Sequence, residues 1–142
     1  PNSRLQKYRI ADNFLNFWFR FIYRNRSAVE TGNFAYVKQI INRDYAVYSG
    51  RILEIFFRQL FADTGQYNRV GSYWEKGNEN EIDLVAIDDM KKKIVIAEVK
   101  SNKSKIRLEG LKNKSKKILT AYPGYRPQWL ALGIEDAKDY LG

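Results

Sequence analysis

Three residues in the stretch NEIDLVAIDDMKKKIVIAEVKSN (80–102) have the types and spacing for phosphoryl chemistry: Asp83, Glu98 and Lys100. Each acid interrupts an apolar run, and acids rarely lie in buried strands without a partner. If the two runs form an antiparallel hairpin through DDMKKK, a loop centred between Met90 and Lys91 pairs residues whose numbers sum to about 181. That register sets Asp83 opposite Glu98, Val85 opposite Ile96, Ile87 opposite Ile94 and Glu81 opposite Lys100 on one face. Ile82, Leu84, Ala86, Val95, Ala97 and Val99 fall on the other. Opposed side chains have Cβ atoms roughly 4.5–5.5 Å apart, where like charges destabilise a sheet. A divalent cation between the acids removes that penalty. Mg²⁺ fits, because it takes carboxylates, water and phosphate oxygens together. Lys100 shares Glu98's face and could contact a phosphate or orient an attacking water. The same residues equally suit an inert ion pair at a strand end, Lys100 with Glu81 or with Glu98. A slip of one residue would separate the acids.

These residues need a fold to hold them, and the chain is long enough to supply one. Its 142 residues, 44% hydrophobic and 15% aromatic, suit a globular domain with a real core. There is no cysteine and no histidine. Disulfides, thiolate zinc sites, Ser-His-Asp and Cys-His catalysis and imidazole acid–base chemistry are therefore excluded. Chemistry is left to carboxylates, lysine, tyrosine or a metal held by oxygen. The net charge of +9, from 25 basic and 16 acidic residues, favours a polyanionic partner, nucleic acid before acidic membrane. No signal-peptide pattern is visible, and FLNFWFRFIY (14–23) is too short and too Arg-rich to span a bilayer. The expected location is cytoplasmic, with no membrane partner. The first residue is Pro rather than Met, which suggests a processed chain or an excised piece.

Helical spacing of Phe14, Trp18, Phe21 and Ile22 predicts a helix over 13–24, capped by Asp12 or Asn13 and buried on more than one side. The pattern breaks at Gly32 and resumes helically. A second long helix is predicted from about Asp44 to Phe61, with Val47, Ile52, Ile55, Phe56 and Leu60 apolar. Strands are predicted over 69–76, 82–88 and 93–100. A helix over 104–120 follows, with Leu108, Leu111, Ser115, Ile118 and Leu119 on one face. A short buried strand (129–133) and a closing helical turn (135–141) end the chain. The domain division expected is an N-terminal helical extension, 1–43, packed on the core, and a main domain, 44–142.

Asp83 with the triplet Glu98-Val99-Lys100, between a preceding and a following helix, resembles the PD-(D/E)xK motif of restriction-endonuclease-like nucleases. Acid-x-Lys also occurs at 89–91 and 136–138, but only the middle copy ends an apolar strand with an acid on the strand before it. More of the chain is similar to the DUF234 family: YRIADNFLNFWFRFIYRN (8–25), SGRILEIFFRQL (49–60), VGSYWEKGNENEIDLVAID (70–88) and IAEVKSNK (96–103). The resemblance implies an α/β fold with a restriction-endonuclease-like mixed sheet, in the order α-β-β-β-α-β, flanked by helices. It implies Glu54, Asp83, Glu98 and Lys100 as catalytic residues, and Asp83, Glu98 and Val99 as ligands of Mg²⁺ or Mn²⁺. It also implies an N-terminal ATPase module in the same polypeptide. No G-x-x-x-x-G-K-[ST] loop occurs, so no ATP site is expected in this chain.

Residues 100–117 hold eight basic residues against Glu109, a net +7 in 18 residues. Lys103, Lys105, Arg107, Lys112, Lys114, Lys116 and Lys117 are accordingly the candidate nucleic-acid contacts, acting through salt-sensitive phosphate attraction. A solvated helix face is the plainer alternative. The aromatics of 14–22, and Tyr73 and Trp74, are expected to pack rather than stack on bases. Three functions follow: a Mg²⁺-dependent nuclease-like domain acting on DNA, a catalytically silent nuclease fold that binds nucleic acid, and a module that docks on its ATPase.

Overall fold

The computed structural model describes residues 12–77 and 79–141. The chain divides into two compact units at Tyr48 and Ser49. In the first unit α1 (Asn13–Phe17) starts at Asp12, whose Oδ1 accepts the Leu15 N–H at 2.8 Å, as N-cap residues do. The helix does not continue regularly. It widens into a π-helical turn, Trp18–Ile22, and then tightens into a 3₁₀ turn, Tyr23–Asn25. Phe21 is the buried residue of this stretch, packed against Phe17 at 5.0 Å and Tyr48 at 5.4 Å between ring centres. Phe14 and Phe19 are exposed, so burial on more than one side does not hold for this helix.

The short α2 (Arg26–Glu30) ends in a turn through Gly32, whose φ of 71° suits glycine. Next comes α3 (Phe34–Asp63), one helix of 30 residues. It joins into one element what the sequence pattern divides in two, because nothing between Asn33 and Asp44 breaks the backbone. Val47 and Phe56, expected in its apolar stripe, are exposed, whereas Phe57, Leu60 and Phe61 are buried.

The second unit contains a four-stranded sheet in the order β1-β2-β3-β4: β1 (Arg69–Trp74), β2 (Glu81–Asp88), β3 (Lys93–Val99) and β4 (Arg126–Leu132). Pairs β1–β2 and β2–β3 are antiparallel, and β3–β4 is parallel. A parallel neighbour needs a crossover, and α4 (Leu108–Lys114) and α5 (Lys116–Thr120) supply it. With the second half of α3 ahead of β1, the order is α-β-β-β-α-β. The predicted single helix over 104–120 is thus two helices after a 3₁₀ turn, Lys103–Lys105, and Leu108 is exposed. The edge strand β4 is only partly buried until Leu132.

The β2–β3 register pairs Leu84 with Ala97, Val85 with Ile96, Ala86 with Val95 and Ile87 with Ile94, each summing to 181. The turn holds it there: Asp88 Oδ1 accepts the N–H groups of Met90 and Lys91, both at 3.0 Å. Next to it, Tyr125, Asn68 and Arg69 donate to Asp89 and hold its carboxyl down at about 2. Leu84, Ala86, Val95, Ala97 and Val99 meet Phe57, Leu60 and Phe61 of α3. Val85, Ile87, Ile94 and Ile96 meet Leu111 and Ile118 of α4 and α5. Each buried Val, Leu, Ile or Phe among them contributes about 1.5–3 kcal/mol by leaving water, which makes β2 and β3 the rigid centre of this unit.

Ser115, at the break between α4 and α5, is fully buried. It accepts from Trp129 Nε1 at 3.0 Å and donates to the Lys112 carbonyl at 2.8 Å. Ser115→Ala would leave the indole N–H without that acceptor. The expected cost is about 1–2 kcal/mol, read as a lower urea midpoint at unchanged slope.

Candidate functional site

Alternation breaks where β2 approaches the acid end of the sheet. Gly71 pairs with Val85 but Tyr73 pairs with Ile82, so Ser72 of β1 faces both Asp83 and Leu84. This is a β-bulge, which reverses the alternation beyond it. Ile82 therefore packs with Val85, Ile87, Ile94 and Ile96, on the face opposite to that expected. The β2–β3 pairing stops at Leu84 and Ala97. Beyond it, Asp83 Oδ2 accepts the Val99 N–H at 2.8 Å, and the Asp83 carbonyl accepts Arg58 Nη1 of α3 at 2.6 Å. Asp83 thus ends the ladder with its carboxylate turned onto β3. Arg58 fixes the backbone in that pose.

Glu98 continues the Ile94–Ile96 face. Lys100 Nζ lies 3.0 Å from its Oε1, and Lys114 Nζ of α4 lies 4.0 Å from its Oε2. Lys100 therefore takes Glu98 rather than Glu81 as partner; Glu81 is paired with Trp74 across β1–β2. The ladder that would set Asp83 opposite Glu98 ends one pair short of them, at Leu84 and Ala97. They remain neighbours nonetheless. Burial pushes the Asp83 carboxyl up, the Val99 N–H pulls it back, and the charges of Glu98 and Glu81 push it further up. Glu54 of α3 is half-buried, with Arg58 Nη1 4.0 Å from its Oε2. Burial raises its carboxyl first, then the charge of Asp83, and Arg58 opposes both. The charge of Asp83 is thus opposed by Glu98 and in turn raises Glu54.

Among the described residues no three carboxylates are placed to hold a metal ion. The ligand set that the resemblance implies, Asp83, Glu98 and Val99, holds two carboxylates. It fits Mg²⁺, which commonly uses one or two carboxylates and completes its shell with water and phosphate. It does not fit a cation that needs an all-protein cage.

The basic segment is less free than its composition suggests. Lys103 is held by Asp136 at 2.7 Å, Lys112 by Glu109 at 3.3 Å and Lys117 by Glu75 at 3.7 Å. Lys112 also lies over the Trp129 ring at 5.5 Å. With Lys114 on Glu98, four of the seven candidates face acids. Lys105, Arg107 and Lys116 have no acid within ion-pair distance among the described residues. Tyr73 is half-buried against the Ile82–Ile96 layer. Trp74 is 65% exposed, against the expectation that it packs.

Two contacts of this site were missed from the sequence: Arg58 on Asp83, and Lys114, expected only as a nucleic-acid contact, on Glu98. Arg58 had a signal, since Glu54 and Arg58 stand at i and i+4 on one helix. Lys114 had none, because only the crossover brings α4 over Glu98.

A mixed α/β unit with an acid cluster at the end of its central strands defines the class of this protein. The chain belongs to the DUF234 family, described as archaea bacterial proteins of unknown function, whose pattern matches residues 18–118. It is 35% identical over 105 residues to an uncharacterized protein of Methanocaldococcus jannaschii, covering 69% of this chain and 23% of that protein. The chain therefore spans less than a quarter of that relative's length. No solved structure matches it. Among the described residues no helix is long and apolar enough to cross a membrane.

Proposed function

We propose that this chain is a nuclease-like domain of a larger, ATPase-containing protein, which binds DNA and hydrolyses phosphodiester bonds with a divalent cation. The reading rests on the PD-(D/E)xK resemblance, and one observation supports it most. Asp83, its carboxyl raised, ends the β2–β3 ladder with Oδ2 on the N–H of Val99, the residue between Glu98 and Lys100. Perturbed carboxyls gathered around a lysine are typical of sites that handle charge. Asp83, Glu98 and the Val99 backbone would hold Mg²⁺ or Mn²⁺. When bound, such an ion lowers the pKa of water and offsets charge on a phosphate. Lys100, released from Glu98, offers its ammonium to a phosphate oxygen and orients the attacking water. Arg58 keeps the Asp83 backbone in place from α3, and Glu54 adds a third carboxylate on that side.

The alternative is a catalytically silent nuclease fold that serves as a nucleic-acid-binding or ATPase-docking module. The Lys100–Glu98 pair at 3.0 Å favours it, since it satisfies the triplet without a ligand. Incubation of plasmid and single-stranded DNA with the chain in Mg²⁺ or Mn²⁺ separates the two. Cleavage that EDTA stops supports hydrolysis. Binding without cleavage selects the silent fold.

DNA binding on either reading depends on lysines and so on salt. Lys112, Lys114, Lys116 and Lys117 changed together to Gln should weaken binding alike across sequences. The slope of log affinity against log salt should fall by about two to four, roughly one for each phosphate no longer neutralised. Filter binding at several salt concentrations checks this; an unchanged slope moves the interface elsewhere.

A further inference from the structure

A second site stands in the N-terminal unit, independent of the acid cluster. A cleft of about 320 Å³ is lined by Arg20, Arg24, Asn25, Tyr36, Ile40, Arg43 and Asp44. Its volume is at the lower end of small-molecule sites. Three guanidiniums and one carboxylate leave it with a net charge of +2. Arg43 already has a partner: its Nε and Nη2 donate to the two oxygens of Asp44, at 2.7 and 2.9 Å. Among the described residues, no acid lies within ion-pair distance of Arg20 or Arg24.

Arg20 sits inside the π-helical turn Trp18–Ile22, and Arg24 in the 3₁₀ turn that follows. The Tyr23 N–H is shared between the carbonyls of Trp18 and Phe19. Such turns occur more often at functional sites than within ordinary helices. Asn25 Nδ2 donates to the Phe21 carbonyl at 2.9 Å, which pins the end of this segment beside the cleft. Arginines present planar forks that match phosphate oxygens two at a time. Asp44 occupies one such fork as an internal stand-in for an anion.

We infer that this cleft binds a phosphate group carrying two or more negative charges, using Arg20, Arg24 and the Arg43 fork now taken by Asp44. The group could belong to a free anion such as pyrophosphate or to the terminal phosphate of a nucleic-acid strand. No divalent cation is needed, because guanidinium supplies the charge.

The test is thermal melting of the whole chain, freed of divalent cations on a chelating resin, in rising inorganic pyrophosphate. Sodium chloride of equal ionic strength is the control. The melting temperature should rise with pyrophosphate and not with chloride. Arg20→Gln with Arg24→Gln should weaken binding roughly tenfold or more, while Lys91→Gln with Lys138→Gln, exposed lysines outside both sites, should not. Asp44→Asn releases Arg43 and should tighten binding about threefold to tenfold. It decides the matter even if the arginine variant fails to fold. No response to pyrophosphate, a response that survives loss of both arginines, or an Asp44→Asn variant that binds no tighter would each overturn the inference. A 5′-phosphorylated trinucleotide that displaces pyrophosphate, where its unphosphorylated form does not, assigns the site to strand ends. Failure of both trinucleotides to displace it assigns the site to a free anion. Equal displacement by both would overturn recognition of a terminal phosphate group.

Discussion

Lys100→Ala should lower phosphodiester cleavage by about a hundredfold or more while leaving the stabilisation by Mg²⁺ or Mn²⁺ intact. Removing one preorganised group that meets developing charge typically costs on that scale. The same change should barely alter stability. The Lys100 side chain is 44% exposed in its pair with Glu98, and such pairs contribute roughly 0–1 kcal/mol. Glu98 also keeps Lys114 nearby. Single-turnover cleavage and a melting series in metal read the two effects separately. Cleavage that persists in Lys100→Ala would remove the lysine from the chemistry. If the parent does not cleave with either metal, the hydrolytic proposal fails and the silent fold stands.

Asp83 should give opposite results according to its replacement. Asp83→Ala leaves the Val99 N–H without its acceptor at the end of the ladder. The expected loss is about 1–3 kcal/mol, the cost of an unmet donor. Asp83→Asn keeps an oxygen acceptor and removes a charge that Glu98, Glu81 and Glu54 all oppose. It should stabilise the metal-free chain by roughly 0.5 kcal/mol, as relief of a like-charge contact in a sheet does. Metal should then add little, because a cation that binds only the folded state stabilises through its ligands.

The pH dependence follows from the same groups. The folded carboxyls of Asp83 and Glu54 lie above their unfolded values, so the folded chain binds more protons between the two. Stability therefore falls as pH rises from the ordinary carboxylate range through the raised folded values. Asp83→Asn should flatten that fall. Denaturant midpoints across mildly acid pH, without metal, provide the measurement. A parent and variant with equal slopes, and equal responses to metal, would exclude Asp83 from the site.

The hairpin register was legible in the sequence because its causes are local. Two apolar runs alternate with period two, and the DDMKKK turn is closed by Asp88 on its own neighbours. The element order and family membership were legible for a similar reason, since they depend on the succession of short patterns. The bulge at Asp83 and Leu84 was not. It arises from how β1 meets β2 at Ser72, and no pattern within β2 records its partner's register. That single shift moves Ile82 to the other layer and turns Asp83 onto Val99. The partners of Lys103, Lys112, Lys114 and Lys117 were hidden likewise, because composition counts charges without regard to which acids the fold brings near. The sequence alone thus determined that β2 pairs with β3, in which register, and which residues can carry charge. Only the tertiary structure decided how Asp83 faces its neighbours, because a β-strand takes its final geometry from both strands beside it.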